Sequence, residues 1–376
     1  MKTERLHSLD SLRAIMMLLG LVLHSAVTYG LTDFGSAWPI KDPKTTSVSN
    51  DFIVALIHTF RMPIFFLVAG FFGSMLFYER KPLEMIKNRI SRLVYPFLVF
   101  LLLLWSTNVF TFEYTKLVFA GSDNALSEAI DLFSNPFTFI PHHTIHLWFL
   151  YYLILITGTS VLLAVLLKTF PRLTTNIYKT FSWIIRKPIL RVLFFSVLTF
   201  LGYITLGISE VKTSGSFTPN FNAFIFYFFF YIVGWVLFKS KHLLASLMAL
   251  DWTCTLLGII LFSIYFFFNQ LLDYKLVITL SSLIVWLFVF GITGLFIRYG
   301  SNYSSRMRYI SDASYWVYLI HLSFTAIIPS LLIDWEVPAT FKFLTVLIST
   351  TFICFVSYNY CVRSSFIGKF LNGRKY

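Results

Sequence analysis

Apolar stretches of about 20 residues alternate with short polar segments along the chain, and stretches of that length cross a bilayer as helices. Ten of them run roughly over 12–31, 52–77, 93–112, 147–167, 189–208, 221–238, 253–272, 276–297, 311–333 and 340–361. None shows the two-residue alternation of a membrane β-barrel strand. The pattern predicts an all-α, polytopic membrane protein, a bundle of about ten transmembrane helices. The short connections at 273–275 and 334–339 force antiparallel neighbours. The first stretch has a basic start but no small-residue cleavage site, and nine more follow, so it reads as a retained helix. No soluble domain is visible. Residues 1–376 form one transmembrane domain, with an external loop or lid at 113–146 that carries Glu113, Asp123, Glu128 and Asp131. No internal repeat is evident, which disfavours the inverted-repeat transporters.

Composition agrees with the pattern. Of 376 residues, 57% are hydrophobic and 12% are charged, about half the charge of a soluble domain. A net charge of +13 would point to nucleic acid in a soluble protein. Here most Lys and Arg fall at the N-terminus, in alternate loops and in the tail. Lys2, Arg5 and Arg13 come first, then Arg80, Lys81, Lys87, Arg89 and Arg92. Lys168 to Arg191, Lys239, Lys241, Arg298, Arg306, Arg308, Arg363, Lys369, Arg374 and Lys375 follow. That asymmetry predicts both termini in the cytoplasm, an even number of spans and no nucleic-acid partner. The three cysteines lie in apolar stretches, with no metal-ligand spacing.

An ionisable residue inside a bilayer costs several kcal/mol, so each one is a functional candidate. Arg13 and His24 are eleven residues apart, three helical turns plus about 20°. They share a face and lie about 16–17 Å apart along the axis. His24 sits about 18 Å from the cytoplasmic edge. Arg61 and His321, on two other spans, each sit about 15 Å deep, with His58 a turn shallower than Arg61 on the same face. A lone buried histidine is usually a satisfied structural residue. Three helices placing His24, Arg61 and His321 in one layer point instead to a site. Arg89 and Arg92, three apart on one face, suit a phosphate. The plain alternative is cytoplasmic charge with snorkelling side chains. His142 and His146 have a metal-ligand spacing, but no acidic residue shares it. Anchoring at the outer interface with Trp148, Tyr151 and Tyr152 is the preferred reading, and no metal is expected. No nucleophile elbow, Gly-rich phosphate loop or HExxH occurs. The available chemistry is a histidine base with arginines.

The ordered set of motifs resembles the membrane-bound acyltransferase family 3. Leu9-Asp10-Ser11-Leu12-Arg13-Ala14 followed by His24 matches the family's Arg-x10-His signature. Phe60 to Phe71 resembles its second-span motif, with Ala69 where many members have Ser. Arg89-Ile90-Ser91-Arg92 with Pro96 is similar to its Arg-x-x-Arg element. His146 to Leu150 and Ser314 to His321 resemble further landmarks. Leu9 to Ser25 and Ile310 to His321 look most like members that succinylate osmoregulated periplasmic glucans.

The resemblance implies an O-acyltransferase of the bacterial cytoplasmic (inner) membrane. It would carry an acyl group, succinyl or acetyl, from cytoplasmic acyl-CoA to a hydroxyl of an extracytoplasmic glycan such as periplasmic glucan. The acyl-CoA is a co-substrate, and no bound cofactor is implied. The depths fit that reading. Arg13, Arg89 and Arg92 stand at the donor's phosphates, and Asp10 pairs with Arg13. The pantetheine arm spans the gap to His24, the general base. Arg61 faces the oxyanion or a succinyl carboxylate. His58, His146, Trp148 and His321 stand at the substrate site. The rival from another class is a transporter or flippase for a glycan or lipid-linked sugar, which ten helices with a polar midplane fit equally well.

Overall fold

The computed structural model describes residues 6–80, 82–212 and 215–373. Lys2, Arg5, Lys81, Arg374 and Lys375, counted above as cytoplasmic charge, lie outside the described residues. The helices are α1 (His7–Val27), α2 (Val48–Glu79), α3 (Pro82–Arg89), α4 (Tyr95–Phe119), α5 (Ala125–Asp131), α6 (Trp148–Leu167) and α7 (Pro171–Ile185). They continue as α8 (Pro188–Leu206), α9 (Phe221–Lys239), α10 (Asp251–Phe268), α11 (Tyr274–Tyr299), α12 (Ser305–Ile327), α13 (Ala339–Ser357) and α14 (Phe366–Asn372). Among the described residues ten helices are long and apolar enough to cross a membrane, and they follow the ten predicted stretches in order. Among the described residues there is no β-strand, only a single bridge between His143 and Ser216. The fold is all-α and polytopic.

Local chemistry sets many of the helix ends. Ser47, Asn220, Asp273 and Ser304 cap the first turns of α2, α9, α11 and α12, each accepting a backbone N–H. Pro171 and Pro188 open α7 and α8, where a missing N–H costs nothing. Gly207 closes α8 with φ of 65°, a conformation glycine adopts without strain. The 32 residues of α2 make a rod of about 48 Å, so it overshoots a hydrocarbon core of about 30 Å.

Three expectations change. α1 begins at His7, earlier than residue 12, because Ser8 and Ser11 are buried against neighbouring helices. The helix ends at Val27, so His24 lies in its last turn. The segment 113–146 is mostly helical: α4 runs on to Phe119, and α5 and three short 3-10 turns follow. The charged stretch between α6 and α8 contains α7, an amphipathic helix that buries Phe181, Ile184 and Ile185 and exposes Arg172 and Lys179.

The centre of the bundle is α2 packed along α9, with α1 held between α2 and α12. The α2–α9 contact needs two glycines. A side chain on Gly70 would strike the carbonyl of Tyr231, and one on Gly234 would strike the carbonyl of Leu67. Small residues that let helix backbones meet are a common interface device in membranes. α10 and α11 pair at the flank, where α10 turns Leu256, Ile260 and Phe267 outward, a surface suited to lipid.

Several charges are consumed by the fold. The buried guanidinium of Arg191 donates to the carbonyls of Ile185, Ser246, Leu247 and Ala249 at 2.7–3.2 Å. Arg298 holds Asp251 through two bonds of 2.7 and 3.1 Å. Lys342 and Asp42 form a fully buried pair at 2.9 Å that fastens the loop after α1 to α13.

Candidate active site

α1, α2, α6 and α12 line a small, partly open cavity of about 20 Å³. Its polar lining is His24 from α1, Arg61 from α2, His146 at the entry to α6, and Tyr318 and His321 from α12. Trp148 lines it as well, beside Phe149, Phe65 and Met62. Met16, Met17 and Gly20 extend the lining along α1 from His24 toward the end that carries Arg13. His24, Arg61 and His321 thus meet as the depth count required, and His146, expected as an anchor at the outer interface, joins them.

The three imidazoles are in series. His24 and His321 have ring centroids 5.3 Å apart, and His321 and His146 are 5.5 Å apart. Backbone carbonyls of α12 fix two of the rings. His321 Nδ1 donates to Tyr318 O at 2.7 Å and Val317 O at 3.1 Å, and His146 Nε2 donates to Leu319 O at 3.0 Å. Those bonds set the tautomers and leave His321 Nε2 and His146 Nδ1 as lone-pair acceptors. Both atoms are buried without a hydrogen-bond partner among the described residues, as are His24 Nδ1 and Arg61 Nε. Such orphaned atoms are rare in folded proteins, and four on one cavity wall mark a place built for something other than packing.

Arg61 is positioned by an absent side chain. A methyl group on Gly20 would lie 2.5 Å from Arg61 Nη1. The guanidinium therefore rests on the bare backbone of α1, one turn from His24. Trp38 stacks on the His24 ring, at 5.2 Å and 17°, and its indole N–H donates to Thr28 Oγ1 at 2.9 Å. Trp38 belongs to the loop that the Asp42–Lys342 pair fastens down. Sequence reading missed it, because a loop residue has no helical phase from which to compute a position. Tyr318, also missed as a site residue, donates from its hydroxyl to His146 O at 2.9 Å. The i, i+3 spacing Tyr318–His321 on α12 was the available signal.

His58 is not part of this lining; its side chain is exposed. Three residues on a helix differ by about 60° in direction, enough to send Arg61 into the cavity and His58 to a different face. His142 and His143 stack on each other and against Trp105, away from His146. They lie in the segment before α6, so the spacing 142–146 does not put two imidazoles on a helix face.

At the other end of α1, Arg13 pairs with Asp10 at 3.4 Å and lies over the Phe72 ring. Arg89 stands in electrostatic reach of Arg13 and Tyr231, with its buried Nε unpartnered. Arg92 points elsewhere. The backbone makes a π-turn at Ile90–Val94, which holds more residues per turn than an α-helix and rotates Arg92 off the face of Arg89. Arg92 Nη1 donates to Phe370 O at 3.0 Å and lies 3.4 Å from Lys369 O, capping the carbonyls of α14. The expected single-face arginine pair is therefore replaced by Arg89 near Arg13 and Arg92 on the C-terminal helix.

Comparison with known proteins agrees with the motifs. The acyltransferase 3 family, described as an acyltransferase domain, matches residues 6–359. Glucans biosynthesis protein C of Escherichia coli (strain K12) is 26% identical over 330 residues, covering 85% of this chain and 81% of that protein. Glucans biosynthesis protein C of Shigella dysenteriae serotype 1 (strain Sd197) shows the same identity and coverage. No solved structure matches the chain. The family sets the transporter reading aside. With ten helices apolar enough to span a bilayer and a match from residue 6 to residue 359, the chain belongs to the acyltransferase 3 family and is a multi-pass membrane acyltransferase.

Proposed function

We propose that the protein transfers an acyl group, succinyl or acetyl, from cytoplasmic acyl-CoA to a hydroxyl of an extracytoplasmic glycan, with periplasmic glucan the first candidate. It would do so in the bacterial inner membrane with both termini in the cytoplasm. The observation that carries this reading is a cavity whose lining includes His24 and Arg61 and extends along α1 to Met17 and Met16, on the side toward Arg13. The apolar, flexible thioether walls of Met16 and Met17 suit a pantetheine arm. Arg13 and Arg89 stand where the donor's phosphates would lie, and Asp10 orients Arg13. Arg92 is engaged with α14 and serves this end of the site indirectly. The likeness to proteins named for glucan biosynthesis supports the choice of acceptor.

In the reaction, the hydroxyl proton passes to His24 as the new C–O ester bond forms at the thioester carbonyl. Arg61 donates to the developing oxyanion or, with a succinyl donor, holds the free carboxylate. Collapse of the intermediate breaks the C–S bond, and the proton on His24 moves to the departing thiolate. His146, Trp148 and His321 border the acceptor, while His58 stands outside the lining and contacts at most the distal glycan. The test is transfer of labelled acyl group from succinyl-CoA or acetyl-CoA to purified glucan by the purified protein in lipid nanodiscs. Formation of ester-linked label is the expected result. Absence of label on glucan with either donor would overturn the assignment.

A further inference from the structure

Neither the cavity nor the donor end of the site uses α7. From Lys168 to Lys187 the chain carries five Lys and Arg and no Asp or Glu. All five are exposed, and among the described residues none pairs with a carboxylate. Arg172, Lys179 and Arg186 are spaced seven apart, within about 20° of two full turns. They form one basic row along the exposed side of the helix. The other edge of that side carries Leu173 and Ile177, 51% and 39% exposed. At 100° per residue they lie about 100–160° around the helix from Arg172 and Lys179. The remaining face is seated on the bundle. Phe181, Ile184 and Ile185 are buried, the hydroxyls of Tyr178 and Tyr78 lie 3.5 Å apart, and Ser182 and Ser240 share a hydrogen bond of 2.8 Å.

Those contacts fix the level of α7. Ser240 follows Tyr227 by thirteen residues, about 20 Å along α9, and Tyr227 is within electrostatic reach of Arg61. With Arg61 near the midplane, Ser240 and its partner Ser182 lie beyond the hydrocarbon half-thickness of about 15 Å. They fall in the headgroup layer, which ends about 20–22 Å out. Trp183 is 54% exposed in the same turn, with Lys187 Nζ 4.0 Å from its ring centroid. Exposed tryptophan at that level is a mark of the membrane interface.

We propose that α7 is an interfacial helix that binds the headgroups of anionic phospholipids. Leu173 and Ile177 enter the acyl boundary, and Arg172, Lys179, Arg186 and Lys187 take the phosphates. A basic edge beside an apolar edge is the pattern by which such helices hold an anionic leaflet. Each cation near the surface is worth about fivefold in affinity, so a headgroup touched by two is held about 25-fold more tightly than a zwitterionic one. Through Tyr78 and Ser240 the contact anchors the ends of α2 and α9, the pair at the centre of the bundle. The inference uses the depth of the bundle and no step of acyl transfer.

The full-length protein is placed in nanodiscs with photoreactive phosphatidylglycerol or phosphatidylcholine, each carrying a diazirine near its headgroup. Adducts are mapped by peptide mass spectrometry on α7 and, as the reference for lipid contact, on the outward face of α10. Labelling of α7 relative to α10 is expected to be about tenfold or more higher with phosphatidylglycerol. Arg172→Gln/Lys179→Gln/Arg186→Gln/Lys187→Gln should bring the two lipids within about twofold, while Arg172→Lys/Arg186→Lys should keep the preference. Should the fourfold variant aggregate, the single Gln variants carry the test, each lowering the preference by up to about fivefold. Equal labelling by the two lipids, a preference unmoved by the Gln variants, or no label on α7 would overturn the proposal. Each reaction is repeated with inorganic phosphate or acetyl-CoA against chloride at equal ionic strength. Retention of the α7 label is expected. Its loss would assign these cations to a soluble phosphate or to the donor, and would overturn the lipid site.

Discussion

Gly20→Ala is a one-carbon change that reaches the reacting centre through Arg61. The new Cβ would fall 2.5 Å from Arg61 Nη1 and 3.6 Å from Cζ. Comfortable contact between such atoms is about 3.5 Å, so the guanidinium has to retreat by about 1 Å. The retreating atoms are the far end of a flexible side chain, and alanine is preferred to glycine inside a helix by about 1 kcal/mol. Stability should therefore stay level or rise slightly. Activity should not. A misplacement of about 1 Å in a group that stabilises the transition state costs about 100-fold. The expected result is a kcat lowered roughly 100-fold at an unchanged melting temperature, approaching the loss in Arg61→Ala. The assay is acyl transfer from labelled acyl-CoA alongside thermal unfolding of the same detergent preparation. A wild-type kcat in Gly20→Ala would refute the placement of Arg61 at the developing charge. A fall in both kcat and melting temperature would refute the claim that Arg61 yields where backbone does not.

Gly70→Ala provides the contrast, because its new Cβ would meet the Tyr231 carbonyl rather than a side-chain tip; α2 and α9 must separate, and a loss of about 1–3 kcal/mol is expected in thermal or denaturant unfolding. Lys342→Met leaves Asp42 buried without its partner and should cost about 3–5 kcal/mol, while Asp42→Asn with Lys342→Met should recover much of that in the same measurement. Arg89→Ala should raise donor KM about tenfold or more. Arg92→Ala should spare donor KM and instead speed proteolysis near α14, since its guanidinium caps Phe370 and Lys369. Trp38→Leu should lower kcat about tenfold by freeing the His24 ring, with expression unchanged.

The parts of the fold that were legible in the sequence are those governed by fixed helix dimensions. Ten apolar stretches gave ten helices, and counting at about 1.5 Å per residue brought His24, Arg61 and His321 to one level. Their rings and guanidinium do line one cavity. The count succeeded although α1 starts earlier than its apolar run, because relative depth depends on rise and not on where a helix begins. Features outside regular helix geometry were not legible. The π-turn at Ile90–Val94 has no pattern in residue type, yet it separates Arg89 from Arg92. α7 was hidden because its Lys and Arg read as loop charge. Trp38 reaches His24 from a loop whose course is set by a buried ion pair 300 residues apart in sequence, a contact no local pattern contains. His58 shows the limit of face arithmetic, since a 60° difference decides whether a side chain enters the cavity.

The central claim is that His24 takes the proton of a glycan hydroxyl at the head of this cavity. Acyl transfer by purified His24→Ala, compared with wild type at equal amounts of folded protein, tests it most directly. The account predicts that labelled acyl group passes from acyl-CoA to glucan with the wild type and falls by about 10²–10⁴-fold in the variant. A His24→Ala protein that transfers at the wild-type rate would contradict it.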